Sequence, residues 1–364
     1  MQAADAVVGA GTPASCTEGA FDTALFAVQN SGGGAITFNC GASSHSIVFF
    51  AGSTGKNIHT NVVIDANNKI VLNAFNERRH FYIESNGSLT LQNITLVQGR
   101  SNTDNGGSIY NLGALILDGA SILDSNVAAD YSGGAIVSNG GAVTITDSRL
   151  ENNTAGSAGG LYLIGESADA TITNSIFRNN QTTNTTYGLG GAITTWDGAD
   201  VTIRTSTLQG NQARRGGAIY NQFAATTITL EADTKLISNT TTVEGGGIYN
   251  YGGSVMLANS TVAGNTAPFG GGVRNYDGSV ILTNSTVVSN TGATFGGGIL
   301  NLGAIGLSNS TIAGNTASFG GGIYNDVITS VVTMTNSTVV SNTGAIEGGG
   351  IFNVGHYPDQ RHRR

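Results

Sequence analysis

The stretch FGGGIYN (residues 319–325) decides the fold, because close variants of it return throughout the chain. Three glycines, a branched aliphatic residue, an aromatic residue and asparagine also occur as GGGIYN (245–250) and GGGIFN (348–353). Ten related copies lie between residues 106 and 353, at intervals of about 27 residues. A regular interval of this length is the signature of a repeat architecture.

A second phrase lies between successive glycine runs. It consists of an apolar residue, two variable residues and asparagine, as in VAGN (262–265) and VVSN (287–290), and alternating sequence such as SVILTNST (279–286) precedes it. Alternation at period two indicates a strand with one buried face. No segment of the repeat is long enough for a crossover helix. We therefore predict an all-β, parallel β-helix (solenoid) with about three short strands in each of about ten regular coils.

The remaining sequence departs from this repeat. Residues 17–29 place Ala20, Phe21, Ala24, Leu25 and Val28 on one helical face, which predicts a short helix that caps the first coil and hides its sheet edge. We divide the chain into an N-terminal segment with this capping helix (1–40), irregular N-terminal coils (41–105), regular repeats (106–355) and a basic tail (356–364).

Composition restricts the class of partner. With 10% charged residues and a net charge of −8, the chain lacks the basic surface that nucleic-acid binding requires, and it has no 18-residue apolar run that could span a membrane. The start lacks the features of a signal peptide, so the protein is either cytosolic or begins at its mature form. Cys16 and Cys40, 24 residues apart in polar surroundings, favour an exported protein with one disulfide.

Asparagines recur at fixed places in the repeat, and stacked asparagines can hydrogen-bond along a solenoid. We expect one internal ladder at Asn250, Asn275, Asn301, Asn325 and Asn353, and a second at Asn259, Asn284, Asn309 and Asn336. The second set also forms Asn-Ser-Thr sequons. A buried ladder is the interpretation that we favour over glycosylation, because a glycan cannot occupy a packed stack.

The alternation of GGA-I or GGG-I runs with F/L/V-x-x-N phrases over about 106–353 resembles the polymorphic outer-membrane-protein repeats of bacterial surface and autotransporter-type proteins. The opening VVGAGTPASCTEGAFDTALFAVQNSGGGAITFNCG (7–41) resembles the start of exported right-handed β-helix proteins of the pectin-lyase-like class. These resemblances imply a right-handed solenoid, a secreted or cell-surface location and structural or adhesive roles. We expect no counterpart of the autotransporter membrane-anchoring barrel within these 364 residues, which leaves the mode of attachment open.

Catalysis needs a separate test, since the same class contains pectate lyases and polygalacturonases. Acidic residues are scattered, and the repeated GGxGxD calcium pattern is missing, so we expect no cofactor and no metal. The strongest catalytic candidates are Asp197 and Asp200 in WDGAD (196–200), with Arg204 or Arg178 on neighbouring coils. A turn with exposed acids is the interpretation that we favour for them.

One aromatic stripe has a functional interpretation. The residue after the aliphatic one should point away from the core, and phenylalanines precede several glycine runs. The stripe comprises Tyr110, Tyr220, Tyr249, Tyr324, Phe352, Phe269, Phe295 and Phe319. Exposed aromatic rings stack on sugars or on a partner protein; the alternative is that they only stack on each other.

These observations predict a non-catalytic structural or adhesive solenoid of the cell exterior. Its expected partners are surface glycans or further copies of itself, associated end to end or side by side, and end-to-end association would build filaments. The alternative is a polysaccharide lyase or hydrolase of the β-helix class that acts on acidic glycans.

Overall fold

The computed structural model describes residues 4–50, 55–102, 104–119, 121–327 and 329–354, so the predicted basic tail at 356–364 lies outside the described residues. The chain divides into two compact units, one ending at Val201 and one beginning at Thr202. In each unit, short strands pair in parallel with the equivalent strands one coil away. The predicted parallel β-solenoid is confirmed, with about 13 coils in the two units and one α-helix among the described residues.

A regular coil has four strands rather than the three expected. The four strands of a coil form four faces, which we number in chain order. The first-face strand is the segment of alternating apolar and polar residues, such as Ser254–Ala258, and the second-face strand contains the apolar residue that begins the x-x-Asn phrase, as in Thr261–Ala263. The third face precedes the glycine run and the fourth follows it. The third face is the unexpected one: segments such as Thr266–Phe269 pair along the stack as regularly as the others.

In the first unit a short 3-10 turn spans Pro13–Ser15 and the helix α1 spans Glu18–Asn30. First-face strands are Ala6–Val8, Gly33–Phe38, Asn61–Asp65, Ser88–Gln92, Ala114–Asp118, Ala142–Thr146 and Ala170–Thr173. Second-face strands are His45–Val48, Ile70–Asn73, Thr95–Val97, Ile122–Asp124, Arg149–Glu151 and Ile176–Arg178. Third-face strands are Val127–Ser132, Thr154–Ser157 and Gln181–Thr182. Fourth-face strands are Lys56–Ile58, Phe81–Ile83, Ile109–Asn111, Ile136–Asn139, Leu161–Ile164 and Ile193–Trp196.

The second unit is more regular, and the first-face strand Val201–Arg204 lies at the division. Its other first-face strands are Thr227–Glu231, Ser254–Ala258, Ser279–Thr283, Ala304–Ser308 and Val331–Thr335. Second-face strands are Thr207–Gln209, Lys235–Ile237, Thr261–Ala263, Thr286–Val288, Thr311–Ala313 and Thr338–Val340. Third-face strands are Gln212–Arg215, Thr240–Glu244, Thr266–Phe269, Thr291–Phe295, Thr316–Phe319 and Thr343–Glu347. Fourth-face strands are Ile219–Gln222, Ile248–Tyr251, Val273–Tyr276, Ile299–Asn301, Ile323–Asn325 and Ile351–Asn353.

The core follows the period-two alternation. On one first-face strand Val255 and Leu257 are buried while Met256 between them is exposed, and Val280 and Leu282 repeat the pattern one coil on. Each such side chain contributes roughly 1.5–3 kcal/mol on burial. Stacked burial of this kind holds neighbouring coils together.

The predicted capping helix is present as α1. The Thr17 hydroxyl accepts a hydrogen bond from the Ala20 amide at 3.2 Å and so satisfies a free N–H of the first turn. Phe21, buried on the inner side of the helix, lies against Phe49 with ring centroids 5.3 Å apart. A disulfide joins Cys16 to Cys40 beside the helix.

One histidine is buried in the first unit. Its side chain, His80, lies 3.0 Å from the Ser108 hydroxyl and 3.0 Å from the Leu72 carbonyl, one contact at each ring nitrogen. Burial lowers the pKa of His80 to about 4, because the interior disfavours the charged imidazolium. The neutral ring is therefore part of the packed interior.

The first predicted asparagine ladder is correct. Asn250 Nδ2 donates to Asn275 Oδ1 at 2.9 Å, and Asn275 Nδ2 donates to Asn301 Oδ1 at 2.8 Å. The hydrogen bonds continue through Asn325 to Asn353.

The second predicted ladder is wrong. Asn259, Asn284 and the equivalent Asn309 and Asn336 are exposed turn residues with φ between 49° and 52°. The second ladder instead uses the asparagine of the x-x-Asn phrase: in the second unit Asn211, Asn239, Asn265, Asn290, Asn315 and Asn342 are linked in that order by Nδ2–Oδ1 hydrogen bonds of 2.9–3.0 Å. The turn conformation places the sequon side chains in solvent, so packing does not exclude a modification there.

Candidate functional site

Three columns of side chains line the corner between the third and fourth faces of the second unit, which we call the corner groove. Strand register builds the columns, because equivalent residues of successive coils pair directly. The first column, at the ends of the third-face strands, is Arg215, Glu244, Phe269, Phe295, Phe319 and Glu347. The second column, on the fourth face, is Tyr220, Tyr249, Arg274, Leu300, Tyr324 and Phe352. The third column, two residues further on, is Gln222, Tyr251 and Tyr276.

The glycine run makes this corner tight. Gly270 has φ of 64°, in the left-handed region that glycine adopts without a Cβ clash. A Cβ on the next residue, Gly271, would lie 2.4 Å from the carbonyl carbon of Thr291 in the following coil. The bend brings third-face and fourth-face side chains together, so that the rings of Phe295 and Tyr324 are 4.6 Å apart.

This geometry corrects the predicted exposed stripe. Tyr220, Tyr249 and Tyr324 point away from the apolar core, yet they are only 5%, 5% and 8% exposed because the concave corner covers them. Half-buried members of the stripe are Tyr110, Phe269, Phe295, Phe319 and Phe352. The rings do stack on one another, as Tyr220 and Tyr249 show at 5.2 Å and 4° between ring planes. A role of the stripe in binding stays a prediction.

One half of the groove is polar and encloses a cavity of about 400 Å³. Its walls are Arg215, Tyr220, Gln222, Glu244, Tyr249, Tyr251 and Tyr276. A second cavity of about 240 Å³ adjoins it and shares Tyr276. The first volume lies within the range of small-ligand sites.

The charges in the polar half are incompletely paired. Glu244 Oε2 lies 3.7 Å from Arg274 Nε and 3.9 Å from Arg215 Nε, too far for hydrogen bonds. Both Nε atoms, Arg274 Nη1 and Gln222 Oε1 are buried without a hydrogen-bond partner. The guanidinium groups also lie near tyrosine rings. Arg215 Cζ is 6.0 Å from the ring centroid of Tyr249, and Arg274 Cζ is 5.5 Å from that of Tyr276.

Tyr249 is a neutral hydrogen-bonding group of the cavity. Burial raises the pKa of Tyr249, and the carboxylate of Glu244 raises it further. The phenol of Tyr249 therefore keeps its proton and can donate it in a hydrogen bond.

The other half of the groove is aromatic. Phe269 and Phe295 stack at 5.8 Å, Phe295 contacts Phe319 at 5.5 Å, and Tyr324 stacks on Phe352 at 5.3 Å. Burial raises the pKa of Tyr324 as well. This half is an almost continuous apolar wall.

A related cluster in the first unit contains an arginine, Arg79, whose guanidinium is hydrogen-bonded by the protein itself. Arg79 lies beside the stacked rings of Tyr82 and Tyr110, whose centroids are 5.4 Å apart. Its Nε donates to the Gly106 carbonyl at 2.9 Å, and its Nη2 is bonded to Asp104. The fold can therefore pair an arginine completely beside a tyrosine stack, which the polar half of the corner groove does not do.

Each of the alternative catalytic residues has a local environment of its own in the structure. Asp197 is a turn residue with φ of 55°, and the Asp200 amide donates to Asp169 Oδ1 at 3.0 Å. Arg204, in the second unit, is bonded through Nε to Glu231. Within the part of the chain that the structure describes, no group of three or more His, Cys, Asp or Glu side chains could hold a metal ion. No helix among those residues is long and apolar enough to cross a bilayer.

Sequence analysis missed most of the polar half, namely Arg215, Glu244, Gln222, Tyr251 and Tyr276. The available signal was a substitution inside the repeat. Arg215 and Glu244 occupy the place that Phe269 takes in the next coil, and Arg274 interrupts a tyrosine column. Charge at positions that are aromatic in neighbouring coils was visible in the sequence, but only strand register brings the residues together.

Comparisons with known proteins add one match. A family profile described as the Chlamydia polymorphic membrane protein (Chlamydia_PMP) repeat matches residues 205–222. This stretch contains the ladder residue Asn211 and the groove residues Arg215, Tyr220 and Gln222. Searches among curated proteins and among solved structures give no significant match.

Proposed function

We propose that the protein is a non-catalytic structural and adhesive element of a cell surface, and that it holds its partner in the corner groove. One observation carries the proposal: stacked tyrosines and Arg215, whose Nε is buried without a hydrogen-bond partner, line one cavity outside the core. Packing of the solenoid does not require this arrangement, since a neighbouring coil places Phe295 and Leu300 at the same corner.

Two observations support a location outside the cytoplasm. The matching repeat family is described as a polymorphic membrane protein. The disulfide between Cys16 and Cys40 is of a kind that persists in oxidising compartments. Protease treatment of intact source cells tests the location: degradation of the protein supports a surface position, and full protection with the cells intact contradicts it.

Adhesion is tested with immobilised protein and a panel of neutral glycans, acidic glycans and soluble copies of the protein itself. We expect the wild-type protein to retain a glycan, and the variant Tyr251→Ser/Tyr276→Ser to lose that retention. Both tyrosines are partly exposed, at 37% and 39%, so the variant should fold. Tyr187→Ser is the control, because Tyr187 is 70% exposed and lies outside the groove.

Each result of the panel has a defined meaning. Retention of no ligand contradicts the adhesive function, and unchanged retention by the tyrosine variant contradicts the groove as its surface. Retention of soluble copies alone would favour self-assembly instead. Turnover of an acidic polysaccharide that Asp197→Ala and Asp200→Ala abolish would establish the enzyme alternative.

A further inference from the structure

The polar half of the corner groove has more cationic donors than the protein itself satisfies. Two guanidinium groups face one carboxylate, that of Glu244, so the cluster carries a formal charge of about +1. The Arg274 side chain is only 10% exposed, and its Nε and Nη1 have no hydrogen-bond partner. A buried donor without an acceptor is destabilising, so an anionic ligand would gain by supplying one.

The geometry around these donors selects the kind of anion. A guanidinium is a planar fork that matches the two oxygens of a carboxylate. Tyr251 and Tyr276 present stacked rings 5.2 Å apart beside it. Flat aromatic faces pack against the C–H face of a pyranose ring, a contact that a small inorganic anion would leave unused.

The cavity also has groups suited to sugar hydroxyls. Gln222 Oε1 is a buried acceptor without a partner, and tyrosine hydroxyls both donate and accept hydrogen bonds. The concave, mixed apolar and polar lining is of the kind that small ligands occupy.

We propose that the polar half of the corner groove binds a carboxylated sugar residue within an acidic glycan, with Arg215 on the cavity wall holding the carboxylate, Arg274 beside Glu244 adding positive charge, and the tyrosine rings stacking on the pyranose. This proposal rests on the adhesive function proposed above and names the class of its ligand. The cluster around Arg79 differs from the polar half of the corner groove. There the protein's own carbonyl and carboxylate groups accept the hydrogen bonds of the guanidinium.

Calorimetric titration of the full chain tests the proposal. The probe is a galacturonate trisaccharide, and the matched ligand control is its methyl ester, which keeps the sugar rings but removes the charge. We expect the free acid to bind at least tenfold more tightly than the ester, and Arg215→Gln to reduce acid binding by about tenfold or more, as loss of a charge-assisted hydrogen bond predicts. Added salt should weaken binding of the acid more than binding of the ester.

Two further variants define the site. Arg274→Gln should also reduce binding of the acid, provided that its circular dichroism spectrum shows that the variant folds like the wild type. If Arg274→Gln does not fold, Arg215→Gln provides the test, because the Arg215 side chain is 33% exposed. Arg204→Gln removes the same charge outside the groove and should leave binding unchanged, since that side chain is 54% exposed and paired with Glu231.

The proposal is wrong if the wild type does not bind the acid, binds the ester equally well, or loses no affinity in Arg215→Gln. Equal losses in Arg204→Gln and Arg215→Gln would also overturn it, because the effect would then be one of overall charge. Absence of acid binding together with retention of a neutral glycan or a protein on the panel would leave the adhesive function standing and remove only this ligand. No retention of any kind would remove both.

Discussion

Replacing Asn265 by alanine should reveal how strongly the internal ladder holds neighbouring coils. The Asn265 Oδ1 accepts hydrogen bonds from both the backbone amide and the Nδ2 of Asn239, each at 2.9 Å. Its Nδ2 donates to Asn290 Oδ1 at 2.9 Å and to the Leu236 carbonyl at 3.1 Å. All three asparagines are fully buried, so water cannot replace these partners.

The magnitude follows from the groups left unpaired. Alanine removes the acceptor of two buried donors on Asn239, and each orphaned donor costs about 1–3 kcal/mol. The oxygen of Asn290 keeps one donor, the backbone amide of residue 265 at 2.9 Å. We therefore expect Asn265→Ala to lower the free energy of unfolding of the second unit by about 3–5 kcal/mol.

A matched control is available in the same unit. Asn284 is exposed, with φ of 50°, so Asn284→Ala loses only the tolerance of asparagine for this conformation, about 1 kcal/mol. At the last described coil Asn342 is only part-buried, and Asn342→Ala should have an intermediate effect.

Urea unfolding followed by circular dichroism gives the ranking, and native-state hydrogen exchange shows which coils open. Because repeat arrays need not unfold in one step, transition midpoints are compared under identical conditions. Equal midpoints for Asn265→Ala and Asn284→Ala would refute the reasoning, since buried and exposed asparagines would then contribute alike.

Three further predictions concern the turn, the buried histidine and the disulfide. Gly271→Ala should destabilise the second unit strongly, because its Cβ would meet backbone atoms of a neighbouring coil, whereas Gly306→Ala, whose Cβ would have 4.0 Å of clearance, should be nearly neutral in the same urea assay. Because the pKa of His80 in the folded protein is lowered to about 4 from an ordinary 6.5, its stabilising effect is complete above pH 6.5 and is lost as the pH falls towards 4. Thermal melts of His80→Gln should therefore show a smaller loss of stability over that pH range than melts of the wild type. Equal losses of stability in the two proteins would contradict the assignment. Replacing Cys16 and Cys40 together by serine should cost about 3 kcal/mol, since the bridge closes a loop of roughly 25 residues; an unchanged midpoint for the first unit would show that the loop is held by packing alone.

Much of the fold could be predicted from the sequence because it depends on patterns that repeat within and between coils. Period-two alternation predicts the first-face strands, and one apolar helical face predicts α1. The ladder at Asn250 also followed from the repeat. Each of these features depends only on neighbours within a coil and on identical coils lying in register.

The second ladder shows where local repetition is insufficient. Asn259 and Asn265 both recur once per coil, and both follow an apolar strand. Asn259 takes the left-handed turn conformation and points to solvent, whereas Asn265 points inward. Composition and spacing are equal for the two, so only the backbone path around the turn separates a buried amide from an exposed one.

The sequence alone determined that this chain is a parallel solenoid with a capping helix, because repeated alternation and glycine runs leave few other ways to bury apolar side chains. It also determined that Tyr249 and its equivalents lie on the side away from the core. Only the tertiary structure decided that this side is concave, so that Arg215 and Glu244 from successive coils line one cavity with the tyrosines, and Arg274 from the next coil lies beside Glu244. The reason is physical: alternation sets the direction of a side chain, but the angle between two faces sets what that side chain meets.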